Sequence, residues 1–215
     1  MYVLTSVLAI VASAFLAILA TFVPGRAGVR LHWLFKPLTT ILVFVLMVPG
    51  PALSTLPGIA ISAGLALSLA GDVFLMLPGD RFLGGLASFL LAHLAYVVAF
   101  SSGVGLLPHP WVAVPYAAAT LAFLALLWPG LGPRLRVPVT LYVALLALMA
   151  AQACGRALSL GTFASLLGAV GAAIFVVSDA TLAFDRFRTR FRWAKAAVLS
   201  TYWVAQTLIA LSTRG

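Results

Sequence analysis

The chain has 215 residues, of which 64% are apolar and only 8% are charged. A soluble domain has about 25% charged residues and under half apolar ones, so this composition excludes a soluble globular protein. A helix needs ~20 apolar residues to cross a hydrocarbon layer of ~30 Å, and the chain has enough of them for about seven such helices. The formal net charge of +9 does not indicate a nucleic-acid partner, because the basic residues lie in short segments between apolar runs.

Eight apolar runs with short connections follow one another along the chain. They predict transmembrane helices over residues 3–23, 32–49, 57–77, 82–101, 111–128, 137–155, 162–184 and 194–212. The runs lack the two-residue alternation and the strand length of a membrane β-barrel, and helices then satisfy the backbone in lipid. We therefore expect an all-α polytopic membrane protein, a bundle of eight transmembrane helices in which residues 1–215 form a single domain.

The basic residues are divided unequally between the two sets of connections. Only Arg156 and Arg214 lie on one side, whereas the other 11 of the 13 Lys and Arg residues follow helices one, three, five and seven. Because cytoplasmic loops are rich in Lys and Arg, this predicts a bacterial inner-membrane protein with both termini outside the cytoplasm. The loop 185–192 alternates Arg with aromatic residues, and we interpret it as a contact for anionic lipid headgroups.

Two aspartates lie inside predicted helices, where an unpaired charge is costly. Asp72 and Asp179 each precede the end of their helix by five residues, which places both ~7–8 Å below the same membrane surface. Lys36 lies near that level. We expect these three side chains to converge in one pocket open to the inner leaflet, and a structural ion pair with Lys36 is the alternative interpretation of the acids.

Further polar and aromatic side chains recur with helical spacing on neighbouring helices. The candidates to line the pocket are Phe89, His93, Tyr96, Tyr142, Ser178, Tyr202 and Gln206. For His93, Tyr142 and Tyr202 a packing role is the alternative. Gly64, Gly168 and Gly171 are expected to allow close contact between helices. Cys154 is the single cysteine, so no intrachain disulfide forms, and no Cys/His cluster has the spacing of a zinc site.

Four segments carry a resemblance to a known family. They are KPLTT (36–40), LAGDVFLML (69–77), SFLLAHLAY (88–96) and FVVSDATLAFDRF (175–187). In this order, and with this helix count, they resemble the YhhN-like lysoplasmalogenase family of membrane proteins. The resemblance implies cleavage of the vinyl ether bond of lysoplasmalogens to a fatty aldehyde and glycerophosphoethanolamine or glycerophosphocholine, without a metal or organic cofactor. It places the functional pattern on Lys36, Asp72, His93, Tyr96 and Asp179.

Vinyl ether hydrolysis needs a proton donor and an anion at one place. Protonation of the alkenyl carbon gives an oxocarbenium ion, to which water adds before the hemiacetal collapses. Asp72 and Asp179 are the predicted catalytic pair, comparable to the two carboxyls of glycosidases, with the acid and base roles open between them. The lipid tail is expected near Phe89, and its phosphate near Lys36 or Arg81 at the rim.

A different class of function stays open. Asp72 and Asp179 are 107 residues apart and lie in the third and seventh helices, which suggests a duplication into two four-helix halves. Paired repeats and buried acids are also found in transporters. The alternative is therefore a proton-coupled transporter or scramblase of lipids or small molecules, and a lipid-binding sensor is a third possibility. The sequence does not indicate an oligomeric state.

Overall fold

A computed structural model of the chain describes residues 1–49 and 51–214. Within these ranges the regular structure is helical throughout, and the prediction of an all-α membrane bundle is confirmed. The helices are α1 (Tyr2–Ala20), α2 (Gly25–Met47), α3 (Leu56–Met76), α4 (Phe82–Ser101), α5 (Ala113–Leu127), α6 (Pro133–Leu160), α7 (Phe163–Phe187) and α8 (Ala194–Leu211). Short 3₁₀ turns precede α3 and flank α5.

Seven of the helices in the described part of the chain are long and apolar enough to cross a membrane. The eighth, α8, has 18 residues and buries Tyr202, Trp203 and Gln206 against the rest of the bundle. Two helices are at least five residues longer than predicted. The helix α2 begins at Gly25 rather than at 32, because the basic residues that interrupt the apolar run do not interrupt the helix. The helix α6 extends from Pro133, a favourable first position, to Gly161, whose φ of 61° ends it.

The surface and the interior have the reverse of the usual polarity. Large apolar side chains such as Phe15, Leu121 and Phe163 are more than half exposed, whereas Lys36, His93 and Gln152 are among the buried polar residues. This distribution suits a protein whose solvent is lipid, because the interior of the bundle can offer polar side chains the partners that lipid lacks.

Glycines allow the closest helix pairs, as predicted. A Cβ atom on Gly64 of α3 would lie 2.2 Å from the ring of Tyr96 on α4. A Cβ on Gly171 of α7 would lie 2.9 Å from the backbone oxygen of Ala205 on α8. A larger residue at either position would separate the two helices, so α3–α4 and α7–α8 are the tightly packed pairs of the fold.

The packing pattern of the first four helices is repeated in the last four. The pairs α1–α2, α2–α3 and α3–α4 are matched by α5–α6, α6–α7 and α7–α8, and the contact of α4 with α6 is matched by that of α8 with α2. The helices α3 and α7 also begin alike, since Thr55 and Thr162 cap them by accepting a hydrogen bond from the backbone N–H three residues on. These two threonines are 107 residues apart, as are Asp72 and Asp179.

Candidate functional site

Asp72 lies at the centre of a buried hydrogen-bond network. Lys36 Nζ of α2 is 3.2 Å from Asp72 Oδ1. Thr40, one turn further along α2, donates to Oδ2 at 2.8 Å, and Tyr202 of α8 donates to the same oxygen at 2.9 Å. Trp203 Nε1 donates to the Thr40 hydroxyl at 3.3 Å. A buried carboxylate is tolerated only with such compensation, and the network holds α2, α3 and α8 together.

Asp179 on α7 has a different environment. Tyr142 of α6 donates a hydrogen bond to Asp179 Oδ2. His93 Nε2 of α4 lies 3.9 Å from the same oxygen, which is too far for a hydrogen bond. Among the described residues neither ring nitrogen of His93 has a hydrogen-bond partner, and its ring packs edge-on against Tyr142 and Phe175, with centroids 5.2 and 4.9 Å away. His93 is fully buried and does not line the cavity beside Asp179.

A cavity of about 280 Å³ opens beside Asp179, between α4, α5, α6 and α7. Its wall is mostly apolar, with side chains such as Phe89, Phe123 and Leu146, and the few polar groups on it include Asp179 and Tyr142. An apolar cavity with a small number of convergent polar groups is the usual form of a site for an apolar ligand.

The structure divides the single pocket expected from the sequence into two parts. Asp179 and Tyr142 line the cavity, whereas Lys36 and Asp72 are not among its lining residues. The side chains of Lys36 and Asp72 form the ion pair that the sequence offered as the alternative interpretation. The expectation of one chamber shared by both acids is therefore corrected, because the tight packing around α3 fills the space beside Asp72.

Aromatic rings join the two parts. The ring of Tyr202, whose hydroxyl binds Asp72, packs edge-on against Phe89 at 5.9 Å and Phe175 at 5.6 Å. Phe89 lies on the cavity wall, and Phe175 contacts His93. The Lys36–Asp72 pair therefore stands directly behind one wall of the cavity.

Three other predicted site residues make structural contacts away from the cavity. Tyr96 donates to Gln206 Oε1 at 2.7 Å in the interior of the bundle. Ser178 donates to the backbone oxygen of Val198 at 3.1 Å, which fastens α7 to α8. These contacts correspond to a packing role.

Two groups of residues that contribute to the site were missed in the sequence. Thr40 binds Asp72, and its position four residues after Lys36 on α2 would have indicated that both share a helix face. Tyr116, Thr120 and Phe123 form the α5 wall of the cavity, and no pattern in the sequence distinguishes them from lipid-facing residues.

The cavity ends near the arginine-rich end of the bundle, where α3, α5 and α7 end. Phe82 and Phe187 lie on its wall there, in an edge-to-face contact at 5.6 Å. Beyond them is a second pocket, bordered by Asp80, Arg81 and Arg186. In the part of the chain that the structure describes, no group of three or more His, Cys, Asp or Glu residues is placed to hold a metal ion.

Comparison with known proteins identifies relatives over most of the bundle. The model of the YhhN family matches residues 31–213. Lysoplasmalogenase TMEM86B of Sus scrofa is 37% identical over 131 residues, which are 60% of this chain and 53% of the relative. Lysoplasmalogenase TMEM86A of Homo sapiens is 35% identical over 131 residues, with the same coverage. A lysoplasmalogenase of Mycobacterium bovis is 31% identical over 136 residues, 58% of this chain and 48% of the relative.

The matched segment spans about half the length of these curated relatives. No solved structure matches the chain.

Proposed function

Because the chain belongs to the YhhN family, we propose that it is an integral-membrane hydrolase that cleaves the vinyl ether bond of lysoplasmalogens to a fatty aldehyde and a glycerophospho-base. The observation that carries the proposal is the carboxyl of Asp179 on the wall of an apolar cavity. The cavity suits an alkenyl chain, and a carboxyl is the group that the protonation step needs. Relatives named lysoplasmalogenase, 31–37% identical to this chain, support the choice of substrate.

In the proposed first step, Asp179 transfers a proton to the alkenyl carbon next to the ether-bearing carbon. Tyr142 donates to Oδ2, which leaves Oδ1 to carry that proton. The double bond becomes a C–H bond, and the positive charge forms on the ether-bearing carbon and its oxygen. The Asp179 carboxylate left behind faces this oxocarbenium ion and stabilises it, as carboxylates do in glycoside hydrolysis.

In the second step, water adds to the cationic carbon. Its proton passes to the Asp179 carboxylate, and a hemiacetal results. Asp179 then donates this proton to the glyceryl oxygen, whose bond to the former alkenyl carbon breaks, and takes up the proton of the hemiacetal hydroxyl as the aldehyde C=O bond forms. The aldehyde and the glycerophospho-base are released, and Asp179 is protonated again. Protons balance over the cycle, and one water is consumed.

Asp72 remains a predicted member of the catalytic machinery, and its surroundings favour a positioning role. Its carboxylate accepts the Tyr202 hydroxyl, and the Tyr202 ring supports Phe89 on the cavity wall. Asp72 thereby helps to hold the cavity wall in place through Tyr202 and Phe89. The arginine-rich end faces the cytoplasm in this proposal, in accordance with the positive-inside rule.

The test is aldehyde release from lysoplasmalogen by the purified protein, measured by mass spectrometry. We expect Asp179→Asn to lower kcat by about 100-fold or more, because the loss of a general acid costs 10²–10⁴-fold. Asp185→Asn is the matched control, since Asp185 accepts a backbone hydrogen bond from Phe191 outside the cavity. A folded Asp179→Asn variant with the wild-type rate would contradict the carboxyl mechanism.

A proton-coupled lipid transporter is the second candidate, favoured by the repeated packing of the two halves. Reconstituted liposomes separate the two functions. Lipid or proton flux without aldehyde would support the transporter, and aldehyde without flux the hydrolase.

A further inference from the structure

The second pocket, at the arginine-rich end, adjoins the cavity. It encloses about 310 Å³ and shares Phe82 with the cavity wall. Three charged side chains border it: Asp80 and Arg81 from the connection between α3 and α4, and Arg186 from the last turn of α7. The pocket therefore presents one negative and two positive groups beside an apolar chamber.

Arg186 is held in a fixed plane. Its Nη2 donates to both carboxylate oxygens of Asp80, at 2.8 and 2.9 Å, and its guanidinium lies 4.0 Å from the ring centroid of Phe82. The side chains of Arg186 and Asp80 are 34% and 71% exposed. An ion pair so open to solvent is weak, so a ligand that offers an anion to Arg186 and a cation to Asp80 can replace it.

The backbone of Asp80 is unusual. Its φ is +46°, directly after Gly79 with a φ of +86°. Residues other than glycine rarely adopt this left-handed backbone conformation, and Asp and Asn adopt it more readily than most. This backbone conformation fixes the direction in which the carboxylate leaves the chain.

The distance between the pocket and Asp179 matches a phospholipid headgroup. Asp179 and Arg186 are seven residues apart on α7, a rise of ~10 Å. In a lysoplasmalogen, five bonds separate the ether oxygen from phosphorus and nine separate it from the headgroup nitrogen. At ~1.2 Å per bond in an extended chain, these are ~6 Å and ~11 Å. With the ether at Asp179, the ammonium reaches the level of Arg186. The phosphate lies ~4 Å short of that level, and the long side chain of Arg186 can reach it because helix side chains point back towards the N-terminus of the helix.

From this arrangement we infer that the pocket is the headgroup site, in which Arg186 and Arg81 bind the phosphate and Asp80 binds the ammonium of a zwitterionic headgroup. The inference rests on the proposed function and adds to it the residues that bind the headgroup. When the lipid binds, the ion pair between Asp80 and Arg186 is replaced by two others, one between Arg186 and the phosphate and one between Asp80 and the ammonium. Phe82 supports the ammonium group by cation–π attraction. A lipid with a phosphate and no ammonium binds Arg186 and Arg81 and leaves Asp80 without a cation.

The test is a binding measurement that needs no turnover. The probes are two saturated ether lipids, 1-O-hexadecyl-glycerophosphoethanolamine and 1-O-hexadecyl-glycerol-3-phosphate, neither of which has the vinyl bond. We expect the wild type to bind the first about 10-fold more tightly. Asp80→Asn, which keeps the left-handed backbone, removes this preference by weakening the ethanolamine lipid alone. Arg186→Gln weakens both lipids about 10-fold.

The controls are Asp185→Asn and Arg134→Gln, which make the same charge changes outside the pocket, and both should bind like the wild type. If a wild-type preference for the ethanolamine lipid is absent, or if Asp80→Asn weakens both lipids equally, the inference is overturned. In turnover the Asp80 and Arg186 variants should raise KM and leave kcat nearly unchanged, because the headgroup lies far from the reacting carbon.

Failure of the inference is distinguishable from failure of the proposed function. Aldehyde release with a KM that does not depend on Asp80 and Arg186 overturns the headgroup site and leaves the hydrolase. Charge-dependent lipid binding without any aldehyde leaves the headgroup site and overturns the hydrolase.

Discussion

The two aspartate sites occupy equivalent places in the two halves of the bundle. Asp72 on α3 has partners from α2 and α8, whereas Asp179 on α7 has a partner from α6 and a neighbour, His93, from α4. In the repeated packing pattern, α2 and α8 around Asp72 correspond to α6 and α4 around Asp179. The scaffold is therefore used twice, whereas the chemistry differs, since one carboxyl is paired with a lysine and the other borders a cavity.

The difference between the closed site at Asp72 and the open site at Asp179 corresponds to a difference in the packing of α1 and α5. The first helix of the first half, α1, packs extensively on α2, where Ser13 and Thr39 share a hydrogen bond of 2.8 Å. Its counterpart α5 packs less extensively on α6, and its side chains line the cavity. The site is open in the half whose outer helix packs less extensively, while the carboxyl keeps its equivalent place on the third helix of that half.

Removal of Lys36 is expected to have the largest effect on stability. Lys36→Met leaves the Asp72 carboxylate buried without its cation, and breaking such a pair costs about 3–5 kcal/mol. Thermal unfolding in detergent measures this loss. The double variant Lys36→Met/Asp72→Asn should recover most of it, because the amide is neutral and still accepts from Tyr202. Lys195→Met on α8 is the control, and a Lys36→Met variant as stable as this control would show that Asp72 is not held as an ion pair.

Obstruction of the cavity is expected to have the next largest effect, on substrate choice. Ala147 lines the cavity deeper in α6 than Tyr142 does, so Ala147→Phe should exclude the end of a long alkenyl chain. We expect kcat/KM for a hexadecenyl substrate to fall about 10-fold or more and that for an octenyl substrate to change less than about threefold. Ala144→Phe, on the exposed side of the same helix, should leave the ratio unchanged. Equal losses for both chain lengths would contradict the placement of the tail.

The sequence predicted the helices and the location of one acid within the third and one within the seventh, because apolar length and position within a run are local properties. It did not predict the start of α2, since Arg26 and Arg30 lower the hydropathy without breaking the helix. It also did not show that the two acids would be separated. Whether space lies beside Asp72 or beside Asp179 depends on how closely α1 and α5 pack, and the spacing between helices is not encoded in either apolar run alone.

The sequence also could not predict the ion pair between Arg186 and Asp80, because it too depends on how distant segments pack. These residues are 106 positions apart, and both belong to basic or loop segments that the positive-inside rule explains without any specific contact. Thr40 differs, because its place one turn after Lys36 on α2 made its contact with Asp72 predictable.

Substitution of the two tyrosines that bind the two acids is a matched test, and its expected effects are smaller than those above. Tyr142→Phe removes the hydroxyl from Asp179 Oδ2, and we expect kcat to fall about 10-fold because the acid loses its orientation. Tyr202→Phe removes one of three partners of Asp72 and should cost about 1 kcal/mol of stability, with little change in kcat. Steady-state kinetics and thermal unfolding of both variants measure this contrast. The reverse result, a loss of kcat in Tyr202→Phe alone, would make Asp72 the acid that contacts the substrate.

The smallest effect is expected for Ser178, which lies next to Asp179 in the chain and which the sequence placed in the substrate site. Its hydroxyl instead donates to the backbone oxygen of Val198, so Ser178→Ala should cost only about 0.6 kcal/mol, a typical value for a hydrogen bond between membrane helices. KM and kcat should stay within about twofold of the wild type, because no substrate contact is lost. If KM instead rose severalfold while the unfolding temperature stayed constant, the hydroxyl would contact the lipid, and the cavity would have to extend behind α7 towards α8. The predicted result would confine the reacting groups to the face of α7 that carries Asp179, and the boundary between catalysis and packing would then fall between two consecutive residues.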